Sequence, residues 1–228
     1  MRRFGKVLII LAASFGVVGC QSVGTTHGPT FSPVVHGTLP VSSTMPVGQS
    51  SPDEPPGFTS FCLRFADQCQ TTPVAPATLV LDSTTLAKMV DVNRSVNRQI
   101  WAVDDIKHYG RAEYWTIPTD GRGDCDDYAV TKRAQLIAAG IPASTLRLAI
   151  AVTPRSIRHA VLTVATDQGD YILDSLFDEI VPWHAANYTW MMRQRQNDAR
   201  KWVSLQNPVP VADVVTAAVA MPRVGAAR

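Results

Sequence analysis

Cys125 has the clearest potential for covalent chemistry in this sequence, because of where it stands. It follows a polar, glycine-containing loop over residues 118–123 and lies at the start of a predicted helix. The unpaired N–H groups and the dipole of a helix N-terminus stabilise a thiolate. The backbone N–H of Cys125 would also point toward a developing oxyanion. These features predict that Cys125 is a nucleophile.

His159 and Asp174 are the candidate partners of this thiol. A cysteine nucleophile needs a general base, and the base needs a group that orients it. His159 begins one predicted strand and Asp174 ends the next, with Asp170 and Asp178 as the next candidate acids. A structural thiol, a strand-end histidine and a turn-forming aspartate would also account for the three residues. The other histidines lie in the N-terminal segment or lack an acid on a neighbouring strand: His27, His36, His108 and His184.

The register of the predicted hairpin decides whether His159 and Asp174 can meet. Side chains alternate between the two faces of a strand, and paired residues of antiparallel strands have numbers with a constant sum. A two-residue loop at residues 167–168 gives a sum of 335. Asp174 then lies opposite Val161, on the face of His159 and about 7–8 Å away diagonally. A three-residue loop gives a sum of 336 and would send Asp174 to the opposite face. The catalytic interpretation therefore requires an odd sum, or a bulge that restores the parity.

Asp124 and Asp126 flank Cys125 and affect its charge state. Like charges raise the pKa of a thiol, so two carboxylates beside Cys125 disfavour its thiolate. A hard cation such as calcium, bound through carboxylate oxygens, would remove this penalty. The alternative is that both acids simply suit the positive end of the helix dipole. Asp124 and Asp126 are therefore candidate metal ligands.

The first twenty residues have the form of a bacterial export signal. Three basic residues precede an apolar run over residues 7–18, which is too short for a permanent membrane-spanning helix. Residues 17–20 resemble a lipobox, which predicts cleavage after residue 19 and lipidation of Cys20. Gln21 in the next position favours the outer membrane by the usual sorting rule, so the predicted location is the periplasm. An ordinary secretory signal that ends near a cysteine is the alternative.

Cys62 and Cys69 form a candidate disulfide, because an exported protein folds in an oxidising compartment. They are seven residues apart, and in an unbroken α-helix their Cα atoms would be about 10 Å apart. A disulfide tolerates roughly 7 Å. A bond therefore requires the helix predicted over residues 59–69 to end or bend between the two cysteines, near Ala66.

The composition divides the chain into four parts. Residues 1–19 are the predicted signal, and residues 20–57 are a predicted lipidated, flexible tether, since Pro, Gly, Ser and Thr dominate it. Residues 58–205 are long enough for one domain, and residues 206–228 form a tail. Removing the signal leaves a net charge of −1, so the mature chain lacks the basic excess typical of nucleic-acid binding.

The hydrophobic periodicity predicts helices first and strands afterwards. Apolar residues recur at helical spacing over residues 82–109 and again over residues 124–140. The period then changes to two, with predicted strands at residues 146–152, 159–165 and 171–173. This order predicts an α+β fold in which helices are followed by an antiparallel sheet.

Several short segments resemble the bacterial transglutaminase-like cysteine proteinases. The Gly-Asp-Cys-Asp-Asp-Tyr-Ala string around Cys125 is the most specific of them, and the resemblance extends over residues 58–205, including Tyr188. The other matching segments are residues 61–69, 113–115, 158–162, 171–174 and 193–202.

The resemblance implies a papain/transglutaminase-like fold and a periplasmic thiol protease with Cys125, His159 and Asp174 as its triad. In adhesin-releasing members it also implies calcium at the positions of Asp124 and Asp126. The second position is commonly Glu, and Asp126 is shorter than Glu by one methylene group. A protein substrate of surface-adhesin type and a membrane-bound inhibitory receptor are the implied partners. A transglutaminase or other acyltransferase with the same triad, and an inactive lipoprotein binding module, are the alternatives.

Overall fold

The computed structural model describes residues 39–71 and 77–207, so the predicted signal, Cys20 and most of the tail lie outside it. Within these ranges no helix combines the length and apolarity needed to cross a membrane. The helices of the described residues are α1 (Phe58–Arg64), α2 (Ser83–Gln99), α3 (Asp105–His108) and α4 (Cys125–Ala138), with 3-10 helices at Ala66–Cys69 and Ala143–Thr145.

The strands are β1 (Trp101–Ala102), β2 (Arg122–Gly123), β3 (Leu146–Val152), β4 (Arg158–Thr166), β5 (Gly169–Leu173), β6 (Val181–Pro182), β7 (Thr189–Gln194) and β8 (Trp202–Ser204). The last six form an antiparallel sheet that follows the helices, in the order β6-β5-β4-β3-β7-β8. A separate parallel pair, β1-β2, joins the end of α2 to the loop before α4. The predicted α+β fold class is confirmed.

Both faces of the sheet are buried, and the alternation along β3 shows how. Leu146, Leu148 and Ile150 belong to the main hydrophobic cluster, which they share with apolar residues of α1, α2 and α4. Ala149 and Ala151 belong to a second cluster on the other face. Because neighbouring residues point to opposite faces and both faces are covered, residues 148–152 form a continuous apolar run, and Arg147 is the charged residue that interrupts β3.

The prediction of one helix over residues 82–109 is wrong beyond Gln99, where α2 ends. Its predicted start is right, since the Asp82 carboxylate accepts a hydrogen bond from the Thr85 backbone N–H at 2.7 Å. After Gln99 the chain becomes extended, and the Trp101 N–H donates to the Gly121 carbonyl at 2.7 Å. Local periodicity does not reveal a strand whose partner is twenty residues away.

Residues 39–57, here called the N-terminal strap, are not the predicted flexible tether, and this part of the prediction is wrong. Met45 is 1% exposed, in the second hydrophobic cluster. Its N–H donates to Asp170 Oδ2 at 2.6 Å, and the Gly48 N–H donates to the Ser204 carbonyl at 2.8 Å. The strap therefore covers one face of the sheet, and the domain begins before residue 58.

A buried charge cluster explains why so polar a segment is ordered. Asp170 is 1% exposed and accepts hydrogen bonds from Arg147 and from Arg193, each at 2.8 Å. Arg193 also donates to the Met45 carbonyl at 3.0 Å. The strap thus gains backbone hydrogen bonds to fixed, buried partners, which its Pro- and Ser-rich composition did not indicate.

Candidate active site

The start of α4 places Cys125 against the sheet. Asp124 and Asp127 form a reciprocal capping box, and the Asp124 N–H donates to Asp127 Oδ2 at 3.3 Å. This arrangement starts the helix at Cys125, as the sequence predicts. The sulfur accepts a hydrogen bond from the Ala160 N–H at 3.4 Å, so it lies beside the first residues of β4.

The hairpin of β4 and β5 has the register that the catalytic interpretation requires. Leu162 pairs with Leu173, and Thr166 pairs with Gly169, so the sum is 335 and the loop has two residues. The predicted odd sum is confirmed. His159 Nε2 lies 2.7 Å from Asp174 Oδ1, and both side chains are buried. With Nε2 directed at the carboxylate, the imidazole has Nδ1 left for exchange of a proton with a thiol.

The Asp174 carboxylate is held as an anion by its neighbours. Burial would raise its pKa, but the nearby His159 and the hydrogen bonds that the carboxylate accepts lower it below the ordinary value. Besides His159, the Leu176 N–H donates to Oδ1 at 2.9 Å and the Tyr188 hydroxyl donates to Oδ2 at 2.7 Å. The side-chain amide of Asn97 donates to the Asp174 carbonyl at 3.0 Å. A buried, ionised acid can orient an imidazole and stabilise its charged form.

Four buried aspartates surround the nucleophile end of α4. Oxygens of Asp105, Asp124 and Asp127 lie within 4.8 Å of one another, and so do ligand atoms of Asp124, Cys125 and Asp126. Burial is the largest cause that raises the pKa of all four acids, and repulsion from Asp124 adds to it for Asp126 and Asp127. Such a cluster is electrostatically unfavourable when its members are ionised and no cation is bound.

The hydrogen bonds of these acids leave part of their binding capacity unused. The Thr116 N–H donates to Asp127 Oδ1 at 2.7 Å, and the Tyr114 N–H donates to Asp105 Oδ2. Three buried carboxylate oxygens accept no hydrogen bond from any residue in the described ranges: Asp105 Oδ1, Asp124 Oδ1 and Asp126 Oδ2. Several carboxylate oxygens directed at one small region fit the ligand preference of calcium.

A narrow groove lies beside the imidazole of His159. Its walls come from the segment before β2, from the first turn of α4 and from the facing ends of β3 and β4. Trp115 is 1% exposed and packs edge-on against Phe58, with ring centroids 5.4 Å apart, so it is part of the core as well as of the groove. The residues that line the groove are Glu113, Trp115, Asp126, Ile150, Arg158, His159 and Ala160.

The model of one protein family, the bacterial transglutaminase-like cysteine proteinases, matches residues 49–209. The chain belongs to this family. As a member of the transglutaminase-like cysteine proteinases it is a cysteine peptidase, and its substrate is a protein. A search of curated proteins gave no match.

Three solved structures of Legionella pneumophila LapG are similar to this family member. The first is 26% identical with a TM-score of 0.45, covering 52% of this chain and 68% of that one. The calcium-bound form is 22% identical with a TM-score of 0.46, and the match covers 61% of this chain and 82% of that one. The EGTA-treated form is 25% identical with a TM-score of 0.46, and the match covers 57% of this chain and 72% of that one.

The predicted disulfide partners are bonded in the structure. Cys62 and Cys69 are joined, with their Cα atoms 5.5 Å apart. The geometric condition for this bond is met because α1 ends at Arg64 and the 3-10 helix begins at Ala66, with Phe65 between them in a non-helical conformation. Cys20, the predicted lipidation site, lies outside the described residues.

Sequence reasoning assigned no role to several residues of this site. Asp127 had a usable signal, since an acid three residues after the N-cap is typical of a capping box. Tyr188 belonged to the family resemblance but carried no assigned role, and Asp105 had no signal, because each joins the site from a different element of the fold. Lys132 lies on α4, seven residues after Cys125, and its side chain is buried. Nothing in the sequence indicated this burial.

Proposed function

We propose that this peptidase is a periplasmic endopeptidase with Cys125 as nucleophile, His159 as general base and Asp174 as the residue that orients His159. The observation that carries the proposal is the 2.7 Å hydrogen bond between His159 Nε2 and Asp174 Oδ1. It is supported by the Cys125 sulfur, which lies 3.4 Å from the backbone nitrogen of the residue after His159.

In the proposed reaction, His159 Nδ1 takes the thiol proton of Cys125, and the thiolate attacks the carbonyl carbon of the peptide bond. The Cys125 N–H at the helix start stabilises the oxyanion. His159 then gives its proton to the leaving amine, which leaves a thioester on Cys125. A water molecule, deprotonated by His159, hydrolyses the thioester and releases the second product. Asp174 stabilises the imidazolium at each stage.

Substitution of the nucleophile tests this proposal. The N-termini of exported proteins are compared between cells with the wild-type enzyme and cells with Cys125→Ser. New N-termini that depend on Cys125 are expected, and the purified variant should keep its thermal unfolding temperature. Identical N-termini in both strains would refute the proposal. Cross-linked products in place of new N-termini would indicate transfer to an amine instead of water.

We also propose that Asp124 and Asp126 hold a calcium ion, with Asp105 and Asp127 beside them. The support is the set of buried carboxylate oxygens around Cys125, three of which accept no hydrogen bond within the described ranges. A bound cation would supply positive charge that offsets the repulsion between these acids and the Cys125 thiolate.

Calcium binding can be measured without an activity assay. Calcium should raise the unfolding temperature of the wild-type protein and be detected by titration calorimetry. Asp126→Asn should weaken both effects, whereas Asp91→Asn, which alters an exposed acid of α2, should change neither. Equal binding heats for wild type and Asp126→Asn would refute the assignment.

We further propose that Cys20 is lipidated after cleavage of residues 1–19, and that the enzyme acts from the periplasmic side of the outer membrane. A surface adhesin is the proposed substrate, and a membrane-bound receptor is the proposed inhibitor. The support is the form of the N-terminal sequence and the family resemblance. Cys20→Ala should move the protein from the membrane fraction to the soluble fraction, and a wild-type protein found only in the soluble fraction would contradict the anchor.

A further inference from the structure

Tyr188 contacts both members of the His159–Asp174 pair. It lies directly before β7, and its hydroxyl donates to Asp174 Oδ2 at 2.7 Å. Its ring meets the His159 ring edge-on, with centroids 5.7 Å apart and an angle of 72° between the planes. One side chain therefore touches the acid and the imidazole at the same time.

The Asp174 carboxylate is held from both of its oxygens. Oδ1 accepts from His159 and from the Leu176 N–H, while the contact to Oδ2 is the Tyr188 hydroxyl. The terminal torsion of an aspartate is intrinsically broad, so a carboxylate held at one oxygen retains rotational freedom. The Tyr188 hydrogen bond to the second oxygen removes that freedom and keeps Oδ1 directed at the imidazole.

Tyr188 is itself held in a fixed orientation. Its backbone N–H donates to the Ala186 carbonyl at 2.8 Å, and its ring packs edge-on against Trp190 with centroids 5.7 Å apart. Trp190 is 2% exposed and packs against Trp183, so the ring that holds Tyr188 in place is itself part of the core. Burial, followed by the charge of Asp174, raises the pKa of Tyr188, which keeps its hydroxyl protonated as a donor.

We infer that Tyr188 is a positioning residue of the peptidase: it locks the Asp174 carboxylate in the orientation that holds His159 and shields their hydrogen bond from water. This inference rests on the roles proposed above for Cys125, His159 and Asp174. The shielding agrees with the burial of the pair, since Asp174 is 0% exposed and His159 is 5% exposed.

Tyr188→Phe tests the inference, because it keeps the ring and removes only the hydroxyl. Tyr171→Phe is the matched control: Tyr171 is buried, and although it lies three residues before Asp174 in the sequence, its hydroxyl donates to the Pro40 carbonyl at 3.0 Å and not to a catalytic candidate. Both variants lose one tyrosine hydrogen bond, so a general effect on stability should be similar in the two.

Two readouts separate positioning from stability. The first is hydrolysis of p-nitrophenyl acetate in calcium-containing buffer, where Tyr188→Phe should lower kcat by about 10-fold to 100-fold, with KM nearly unchanged. The second is the low-field proton NMR resonance of His159 Nε2–H, which should shift and broaden in Tyr188→Phe. Both readouts should stay at wild-type values in Tyr171→Phe.

A wild-type kcat and an unchanged His159 resonance in Tyr188→Phe would overturn the inference. Equal losses of kcat in Tyr188→Phe and Tyr171→Phe would overturn it too, because they would indicate a general structural effect. Cys125→Ser and Asp174→Asn distinguish this failure from failure of the proposed function. If those variants lose ester hydrolysis while Tyr188→Phe keeps it, only the role of Tyr188 is wrong.

Discussion

Replacing the buried Lys132 by methionine should stabilise the protein at neutral and acidic pH. Lys132 is 0% exposed, and its Nζ has no hydrogen-bond partner within residues 39–71 and 77–207. Lys132 Nζ lies over the Tyr128 ring, 5.9 Å from its centroid. Burial lowers the pKa of Lys132 from 10.5 to about 7, although the carboxylates of Asp174 and Asp178 partly oppose this effect.

The size of the effect follows from the difference between the folded and unfolded states. A change of pKa from 10.5 to about 7 corresponds to roughly 5 kcal/mol, at about 1.4 kcal/mol per pKa unit. Because the unfolded chain binds the proton more tightly, the free energy of unfolding rises with pH between about 7 and 10.5. The full cost of the buried ammonium is therefore present below pH 7 and disappears as the pH approaches 10.5. Methionine has a similar length and carries no charge, so Lys132→Met removes this cost.

Urea unfolding at pH 6, 8 and 10 measures the prediction. Lys132→Met should exceed the wild-type protein in unfolding free energy by up to about 5 kcal/mol at pH 6, and the difference should shrink steadily toward pH 10. Lys201→Met, which alters an exposed lysine, should follow the wild-type curve at every pH. A difference between Lys132→Met and wild type that does not depend on pH would refute the reasoning, because a simple packing change has no such pH dependence.

Three further predictions concern parts of the fold that carry the site. Met45→Ala should lower the unfolding free energy by about 2–4 kcal/mol, because it leaves a cavity under the N-terminal strap; a loss below about 0.5 kcal/mol in urea unfolding would show that the strap is not anchored there. Asp170→Asn should cost about 3–5 kcal/mol by leaving two buried arginines without their anion, and wild-type stability in calorimetry would contradict the charge cluster. Cys62→Ser should lower the free energy of unfolding by roughly 2–3 kcal/mol, because it removes the disulfide that closes a short loop. A urea unfolding midpoint equal to that of the wild type without reducing agent would contradict this prediction.

The elements of the site that depend on neighbouring residues could be predicted from the sequence alone. The position of Cys125 at the start of α4 followed from the polar loop before it and the apolar period after it. For His159 and Asp174, strand alternation set the condition that the paired residues have an odd sum, and the two-residue loop of the structure meets that condition. Geometry over seven residues likewise set the condition that α1 end or bend before the second cysteine if the disulfide forms, and the structure meets it.

Contacts between distant segments were decided only by the tertiary structure. The N-terminal strap looks like a linker by composition, yet it is ordered because its hydrogen bonds end on a buried charge cluster more than a hundred residues away. Tyr188 joins the site from a position 14 residues after Asp174, and Asp105 from a position 19 residues before Asp124, in each case from a different element of the fold. The burial of Lys132 depends on which elements cover α4. Local propensity and periodicity report only on a residue and its near neighbours. Which distant side chain completes a hydrogen bond, or removes a charge from water, depends on how the helices and the sheet assemble.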